Sequence, residues 1–332
     1  MSPETQEVER KIQAILKIIN DSNEPLGARI IAQRLKDYGI DLGERSVRYH
    51  LKFTDERGLT RLVGRDGRLI TEQGIKEVHD ALVGDKVGFS INRIELLAFR
   101  TDFDYNNRSG QVPINISFFK ESKFNKAVQL MKPVFSAGIC VSDKVAIAHS
   151  GEQIGEVRVP SGHIGLATVC SVVINGVLLK TGIPMDSRFG GILQIKDGIP
   201  LRFVEIIHYA GSSLDPSEIF IRAKMTSVRA ATKTGNGKLL ANFREIPSAC
   251  RPIAEEAITK LKEAEINGLL IMGNISEPIC EIPLGLNRVG MILYGGMNPV
   301  AAVEEAGIEV QNFALSTIID YRNLIDFGEL SS

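Results

Sequence analysis

The latter part of the chain repeats itself, and a repeat on this scale obliges the fold to hold the same supersecondary unit twice. The stretch GLATVCSVVINGVLLKTGI, from Gly165 to Ile183, aligns with GMILYGGMNPVAAVEEAGI, from Gly290 to Ile308, at a shift of 125 residues. Each is preceded by a proline, a small loop and a glycine (VPSGHIG and IPLGLNRVG). Upstream, KAVQLMKPVFSAGICV echoes EAITKLKEAEINGLLI at a shift of 130, and IELLAFRT echoes IFIRAKMT at 125 again. Three echoes in one order, with a few residues inserted between them, mark a duplication. Each half reads as strand, hairpin, strand (PINISFF; KLLANFRE), helix (KFNKAVQLM; IAEEAITKLKEA), strand, a turn through Pro-x-Gly, another strand, a helix and a final strand (FGGILQI; ALSTIIDY). This predicts an α+β class with mostly antiparallel sheets and helices on one face. The halves, about residues 88–205 and 212–328, are expected to face each other across a pseudo-twofold cleft, the default place for a ligand.

Residues 1–85 have a different character. EVERKIQAILKIINDS places Val8, Ile12, Ile15, Leu16 and Ile19 at helical spacing. ARIIAQRLKDYG repeats the pattern with Ile30, Ile31 and Leu35 and stops at Gly39. A third helix runs from Glu44 to about Arg57 and closes at Gly58; LTRLVGRDGRLITEQG then reads as two strands joined at RDG. Three helices followed by a basic hairpin is the order of a winged helix-turn-helix. A closing helix capped by Thr71 and stopped at Gly84 puts a domain boundary near residues 84–90, ahead of a second domain over 86–330.

The third helix carries the functional signal of this domain. At 100° per residue Val47, Leu51 and Thr54 share one side, with Arg45, Tyr49, Lys52 and Glu56 roughly opposite. Net charge is only −1 over 332 residues, yet Arg45, Arg48, Lys52, Arg57, Arg61, Arg65 and Arg68 face just Asp55, Glu56 and Asp66, a local charge of +4. A charged helix face is ordinarily just solvated, but the short second helix and basic hairpin around it favour double-stranded DNA. Arg45, Ser46, Arg48, Tyr49 and Lys52 are then expected in a major groove, with Arg65 and Arg68 on phosphates or in the neighbouring minor groove. One winged helix covers few base pairs, so specific binding calls for a homodimer. The stretch also resembles the winged-helix domain at the start of some ribonuclease and archaeal regulator chains, which keeps RNA as a second reading. No apolar run approaches the roughly 18 to 20 residues of a membrane span, and MSPETQEVERK has no apolar signal core. The expected location is cytoplasmic, without a membrane partner, and Cys140, Cys170, Cys250 and Cys280 are read as reduced thiols.

At IGLATVCSVVINGVLLKTGIPMDSRFGGILQIKDGIP, SSLDPSEIFIRAKMTSVRAA and VGMILYGGMNPVAAVEEAGI the chain resembles the NrpR family of nitrogen-regulation repressors, over roughly residues 8–328. The resemblance implies repression of nitrogen-assimilation and nitrogen-fixation promoters and release of operator DNA on binding 2-oxoglutarate, an effector and not a cofactor. Some family members carry two copies of the large domain behind one winged helix. This chain has one, and so resembles the form that works with a second chain of the family lacking a DNA-binding domain.

A dicarboxylate needs cations, hydroxyls or free backbone amides, and helix starts supply the last. Two equivalent starts occur: Thr168, Cys170, Ser171 and Asn175 in the first half, and Gly295, Gly296, Met297 and Asn298 ahead of Pro299 in the second. Arg188 is the nearest candidate for a carboxylate clamp. Each has a plainer alternative: Cys170 as a small core residue, Gly295 and Gly296 as a tight turn, Arg188 as a surface ion pair, and Thr226 and Ser227 as turn caps. Histidines 50, 79, 149, 163 and 208 form no metal-binding pattern, and no phosphate loop or nucleophile elbow is present. The alternative to a regulator is a thiol-dependent enzyme fused to a nucleic-acid-binding domain, with Cys170 paired to His163 or His208.

Overall fold

The computed structural model describes residues 3–22, 24–36, 38, 40–80 and 88–331. The chain divides into two compact units between Val87 and Gly88.

In the first unit, helices α1 (Pro3–Asn20), α2 (Ala28–Lys36) and α3 (Glu44–Glu56) precede strands β1 (Thr60–Val63) and β2 (Gly67–Ile70) and helix α4 (Glu72–Asp80). Ile15, Ile19, Ile31, Leu35, Val47 and Leu51 have no exposed surface and form the core of the helical trio. Val8 and Ile30 are 40% and 45% exposed, contrary to their expected place on the apolar stripes. In α2 the buried residues are Ala28, Ile31 and Leu35, a spacing of three and four that leaves Ile30 a full 100° away. Gly58, at φ 69, follows α3, and Thr71 Oγ1 accepts from the Gly74 amide 3.0 Å away to cap α4. The expected stops at Gly39 and Gly84 lie outside the described residues. β1 and β2 pair antiparallel, and Arg68 exchanges two 3.0 Å backbone hydrogen bonds with Leu26, so the hairpin is anchored to the α1–α2 connection. Gly67, at φ 129, makes that approach feasible: a Cβ there would lie 2.2 Å from the Leu26 carbonyl carbon.

The second unit opens with helix α5 (Phe89–Arg100), then β3 (Gln111–Lys120), α6 (Glu121–Ser136), β4 (Lys144–Ala148), the short pair β5 (Gln153–Ile154) and β6 (Val157–Arg158), β7 (His163–Val169), α7 (Val172–Lys180), β8 (Asp186–Lys196) and β9 (Ile199–His208). It continues with α8 (Pro216–Arg222), α9 (Val228–Thr234), β10 (Gly237–Pro247), α10 (Arg251–Glu263), β11 (Leu269–Ile275), β12 (Arg288–Tyr294), α11 (Asn298–Glu305), β13 (Gln311–Asp320) and β14 (Ile325–Asp326). Each half, expected to open on a strand, opens on a helix: IELLAFR of the first echo lies on α5 and IFIR of the second on α8. Burial of Ser90, Ile94, Leu97 and Ala98 is a helical stripe, and Asp215 caps α8 ahead of Pro216 at its first turn.

Two five-stranded sheets form, ordered β13-β3-β7-β4-β14 and β11-β12-β10-β8-β9, with every pairing antiparallel. Strands β3, β4, β7 and β8 correspond to β10, β11, β12 and β13, but the fourth of each set is exchanged. β8, from the first repeat, pairs with β10 of the second, and β13, from the second, pairs with β3 of the first. The sequence repeat is therefore not the folding unit. Nor are helices confined to one face. Val112, Ile114 and Ile116 of β3 pack in a cluster with residues of α7, α10 and β12, while Phe119 on its other side packs with α6 and α11. The second unit is thus one entangled body with a shared core.

The exchange carries a testable consequence. Residues 88–208 and 209–331 produced separately should each lack fixed tertiary structure, because each is missing a strand its own sheet needs. Produced together they should reassemble into a complex with native-like circular dichroism. A folded, monomeric 88–208 fragment would contradict the exchanged topology.

Candidate functional site

On α3, Arg45, Ser46, Arg48, Tyr49, Lys52 and Phe53 are exposed, while Val47, His50, Leu51 and Thr54 are buried. Arg48 lies 2.5 Å from Glu44, and Lys52 is 3.7 Å from Glu56. Exposed pairs of this kind contribute little and are readily exchanged for a phosphate. Tyr49, 63% exposed, lies with its ring 5.8 Å from that of Phe53, an aromatic patch amid the charges. Among the described residues Arg45, Arg61 and Arg65 are exposed and make no ion pair. Arg68 differs from its expected role on DNA. Its Nε donates to Asp55 Oδ2 at 2.8 Å with the side chain only 19% exposed, so it fastens the hairpin to the end of α3. Asp55 also accepts from Thr60 Oγ1, itself 2.7 Å from Thr54 Oγ1. The free basic groups of the hairpin are Arg61 and Arg65.

In the second unit the two equivalent strand-to-helix turns meet. A Cβ on Gly296, in the β12–α11 turn, would stand 2.4 Å from the Val169 carbonyl oxygen and 3.4 Å from Cys170 Cα in the β7–α7 turn. The starts of α7 and α11 therefore converge on one small pocket, lined in part by Cys170, Ser171, Val172, Gly296 and Met297. Asn115 of β3 and Asn242 of β10 enter it from the two sheets. Tyr209 donates to Asn242 Oδ1 at 2.6 Å, and Asn242 Nδ2 donates to Ser171 Oγ at 3.1 Å. The enclosed space is about 20 Å³, room for about one water molecule.

The expected effector residues divide into three groups. Cys170, Ser171 and Gly296 line the pocket. Thr168, Asn175, Gly295 and Asn298 stand behind it as supports. Asn298, with no exposed surface, accepts from the Leu240 amide at 2.9 Å and donates to the Leu240 carbonyl at 3.0 Å, while the Gly295 amide donates to the same carbonyl. Asn175 Nδ2 donates to Ser187 Oγ at 2.9 Å, and Thr168 Oγ1 is 3.5 Å from Asn115 Nδ2. Arg188 is outside. It is 46% exposed and lies 3.3 Å from Asp186 and 3.5 Å from Glu245, because β8 bulges against β10 at this residue and turns its side chain away. Thr226 and Ser227 are not turn caps: Thr226 Oγ1 donates to Glu305 Oε1 at 2.8 Å, Ser227 Oγ accepts from the Lys238 amide, and it is Glu305 that accepts from the Val228 and Arg229 amides at the start of α9.

The group that sequence reasoning missed is Arg244. It lines the pocket with 1% of its surface exposed. Its Nη1 donates to the Phe243 carbonyl at 3.3 Å, its Nε lies 3.5 Å from Asn175 Oδ1, and its guanidinium stands 4.9 Å from the Tyr209 ring centroid. No carboxylate of the described residues forms an ion pair with it. Asp215, part-buried in the same pocket, is spent on capping α8 through the Ser217 amide at 2.8 Å, and burial raises its carboxyl above the usual carboxylate range. The signal was present in KLLANFREIP, where an arginine sits within a strand buried on both faces.

Burial pushes the Cys170 thiol up to about 12, which suits a core residue and not a nucleophile. Neither His163 nor His208 lines the pocket with it: His163 Nδ1 lies 2.9 Å from the Ser161 carbonyl, and His208 packs edge-on to Phe189. Among the described residues no group of three or more metal-ligating side chains occurs, and no helix is long and apolar enough to cross a membrane.

The family described as NrpR regulatory domains NRD1 and 2 matches residues 87–326, and that described as Ribonuclease R winged-helix domain matches residues 13–78. The chain is 41% identical over 318 residues to the global nitrogen regulator NrpRI of Methanosarcina mazei, covering 96% of this chain and 98% of that one. It is 33% identical to the global nitrogen regulator NrpR of Methanococcus maripaludis and 33% identical to that of Methanocaldococcus jannaschii, covering 93% and 96% of this chain. It spans only 54% and 55% of those two relatives, about half their length. Among solved structures, the crystal structure of a nitrogen repressor-like protein from Methanococcus jannaschii matches 72% of this chain and 98% of its own, with a TM-score of 0.61 at 25% identity.

Two measurements check these placements. Iodoacetamide at pH 8 should leave Cys140 and Cys170 unmodified in the folded protein, since burial pushes both thiols up to about 12, while the half-buried Cys250 reacts. Arg68→Ala should lower stability to urea by about 1–2 kcal/mol through loss of its pairing with Asp55.

Proposed function

Because the chain belongs to the NrpR family of nitrogen regulators, we propose that it represses nitrogen-assimilation and nitrogen-fixation genes as a cytoplasmic homodimer that releases operator DNA when 2-oxoglutarate fills the pocket at Arg244. The exposed face of α3 reads the major groove, and Arg61 and Arg65 of the hairpin hold phosphates. Arg61 and Arg65 replace the earlier pair Arg65 and Arg68, because Arg68 is committed to Asp55. The likeness of residues 13–78 to a ribonuclease winged helix keeps RNA as the competing ligand in any binding assay.

The observation that carries the effector reading is Arg244. A guanidinium 1% exposed, with no carboxylate in salt-bridge contact and only the α8-capping Asp215 acting on it across the pocket, is costly unless an anion completes it. Further donors would come from the Ser171 hydroxyl, the Asn115 side-chain amide and the Gly296–Met297 turn ahead of α11, whose own first amides are spent, Asn298 on the Gly295 carbonyl and Pro299 having none. A linear diacid can present one carboxylate to Arg244 and the other to the helix starts. Neither histidine of the thiol-dependent alternative lines this pocket with Cys170, which favours a sensor over that enzyme. The two relatives of about twice the length support a second chain of the family as partner, supplying in trans what those relatives carry in one polypeptide.

Calorimetry with 2-oxoglutarate tests the pocket. Arg244→Met should weaken binding by roughly 150-fold, the equivalent of about 3 kcal/mol for charge-assisted hydrogen bonds. It should leave the melting temperature of the unliganded protein unchanged or higher, because it removes an uncompensated buried charge. Unchanged affinity would place the effector elsewhere. For the reader, Arg65→Ala should reduce the salt dependence of operator binding by about one unit of slope, whereas Arg68→Ala should leave the slope alone. The reverse pattern would reject the assignment of phosphate contacts.

A further inference from the structure

β13 leaves register with β3 beside the pocket. Phe313 faces Ile116 and Thr317 faces Ile114, so Ala314, Leu315 and Ser316 stand together opposite Asn115. Leu315 adopts φ 50, a left-handed conformation that costs any residue other than glycine free energy. In the first repeat the 125-residue shift puts Gly190 and Gly191 at the places of Leu315 and Ser316, and there Gly190 pairs in register with Asn242. β8 also bulges against β10, but by one residue at Arg188, so the wider bulge at Ala314–Ser316, where Ala314 and Leu315 wall the pocket, is peculiar to the second repeat.

Side chains clasp it from several directions. Arg93 Nε donates to the Leu315 carbonyl at 2.9 Å, and its Nη2 donates to the Ser316 carbonyl. Glu218 Oε1 accepts from the Ala314 amide at 2.7 Å, and Asn115 Oδ1 accepts from the Leu315 amide at 3.1 Å. Arg93 sits on α5 and Glu218 at the equivalent position of α8. Two buried side-chain atoms among the described residues have no hydrogen-bond partner, Ser90 Oγ on α5 and Thr317 Oγ1 just past the bulge. Orphaned hydroxyls mark an arrangement with hydrogen bonds still to be made.

A space of about 20 Å³ cannot admit a five-carbon diacid, so binding has to displace a wall. The wall already carrying backbone strain is the bulge, and α5 is the first helix of its unit in chain order, directly after the DNA-binding unit. We propose that Arg93 transmits effector binding, tying the Ala314–Ser316 bulge to α5 so that moving this wall of the pocket moves the helix that follows the DNA-binding unit. The inference rests on the pocket being the effector site. Ile94, the next residue on α5, also lines the pocket, so helix and bulge are displaced from the same space.

The test is hydrogen–deuterium exchange on the full chain with and without saturating 2-oxoglutarate, with calorimetry on the same samples. In the unmodified protein, 2-oxoglutarate should alter exchange both in residues 311–318 and in residues 89–100. Arg93→Gln, which lies outside the pocket lining, should bind 2-oxoglutarate as tightly or more tightly and keep the response at 311–318 while losing that at 89–100. Release of promoter DNA by 2-oxoglutarate should fall from the roughly 5- to 150-fold typical of such coupling to less than about twofold. If Arg93→Gln does not fold, Arg93→Lys carries the test, and a diminished α5 response with binding intact supports the proposal. No heat of binding in the unmodified protein would overturn the effector reading and the transmission with it. Binding with an undiminished α5 response in the folded Arg93 variant would overturn the transmission alone.

Discussion

The pairing of β13 with β3 and of β8 with β10 is the constraint on which the rest of the second unit depends. Each repeat completes the other's sheet, so neither can shift far without stripping a long antiparallel ladder. The exchange also brings the two strand-to-helix turns into contact, with Gly296 against the Val169 carbonyl. Two helix N-termini, usually remote from each other, thereby face one volume. A duplication without exchange would leave each helix start facing its own solvent.

Into that volume β10 delivers Arg244. The pseudo-twofold is broken chemically here. Asn115 and Asn242 enter from equivalent strands, but Arg244 has no charged counterpart in the pocket, and Asp215 is the capping residue where the first repeat has Ser90. A symmetric scaffold supplies symmetric amides; the unequal side chains supply direction, so the two ends of a diacid would meet different partners. The energetics follow from desolvation. A buried cation with one carbonyl at 3.3 Å, one amide oxygen at 3.5 Å, the Tyr209 ring and only the more distant Asp215 charge is incompletely compensated, a deficit that an anionic ligand would repair.

Much of this was legible in the sequence because periodicity is a local property. The three helices and the hairpin of the first unit and the duplicated strand-turn-helix segments, with their glycine- and cysteine-bearing turns, follow from spacing; that the two turns meet does not. An eight-residue apolar window such as IELLAFRT satisfies either period, and only Ser90 upstream, four residues before Ile94, resolves α5 as helical. The strand exchange was invisible, since repeats reveal which elements correspond and not which partner each chooses. Arg188, and not Arg244, stands out in the sequence for the same reason. A single bulge in β8 decides which arginine faces inward, and register is a property of the assembled sheet. Arg68 was likewise taken as free because its partner, Asp55, lies across the hairpin base and not at a helical spacing.

The claim at the centre of this account is that a buried, unpaired Arg244 awaits an anionic effector. The direct measurement is nuclear magnetic resonance of arginine Nε–H groups in nitrogen-15-labelled protein, with the Arg244 signal identified by its loss in Arg244→Lys. Adding 2-oxoglutarate should shift that signal and slow its exchange with water, while the exposed arginines stay where they were. An Arg244 resonance that stays fixed at saturating 2-oxoglutarate would contradict the account.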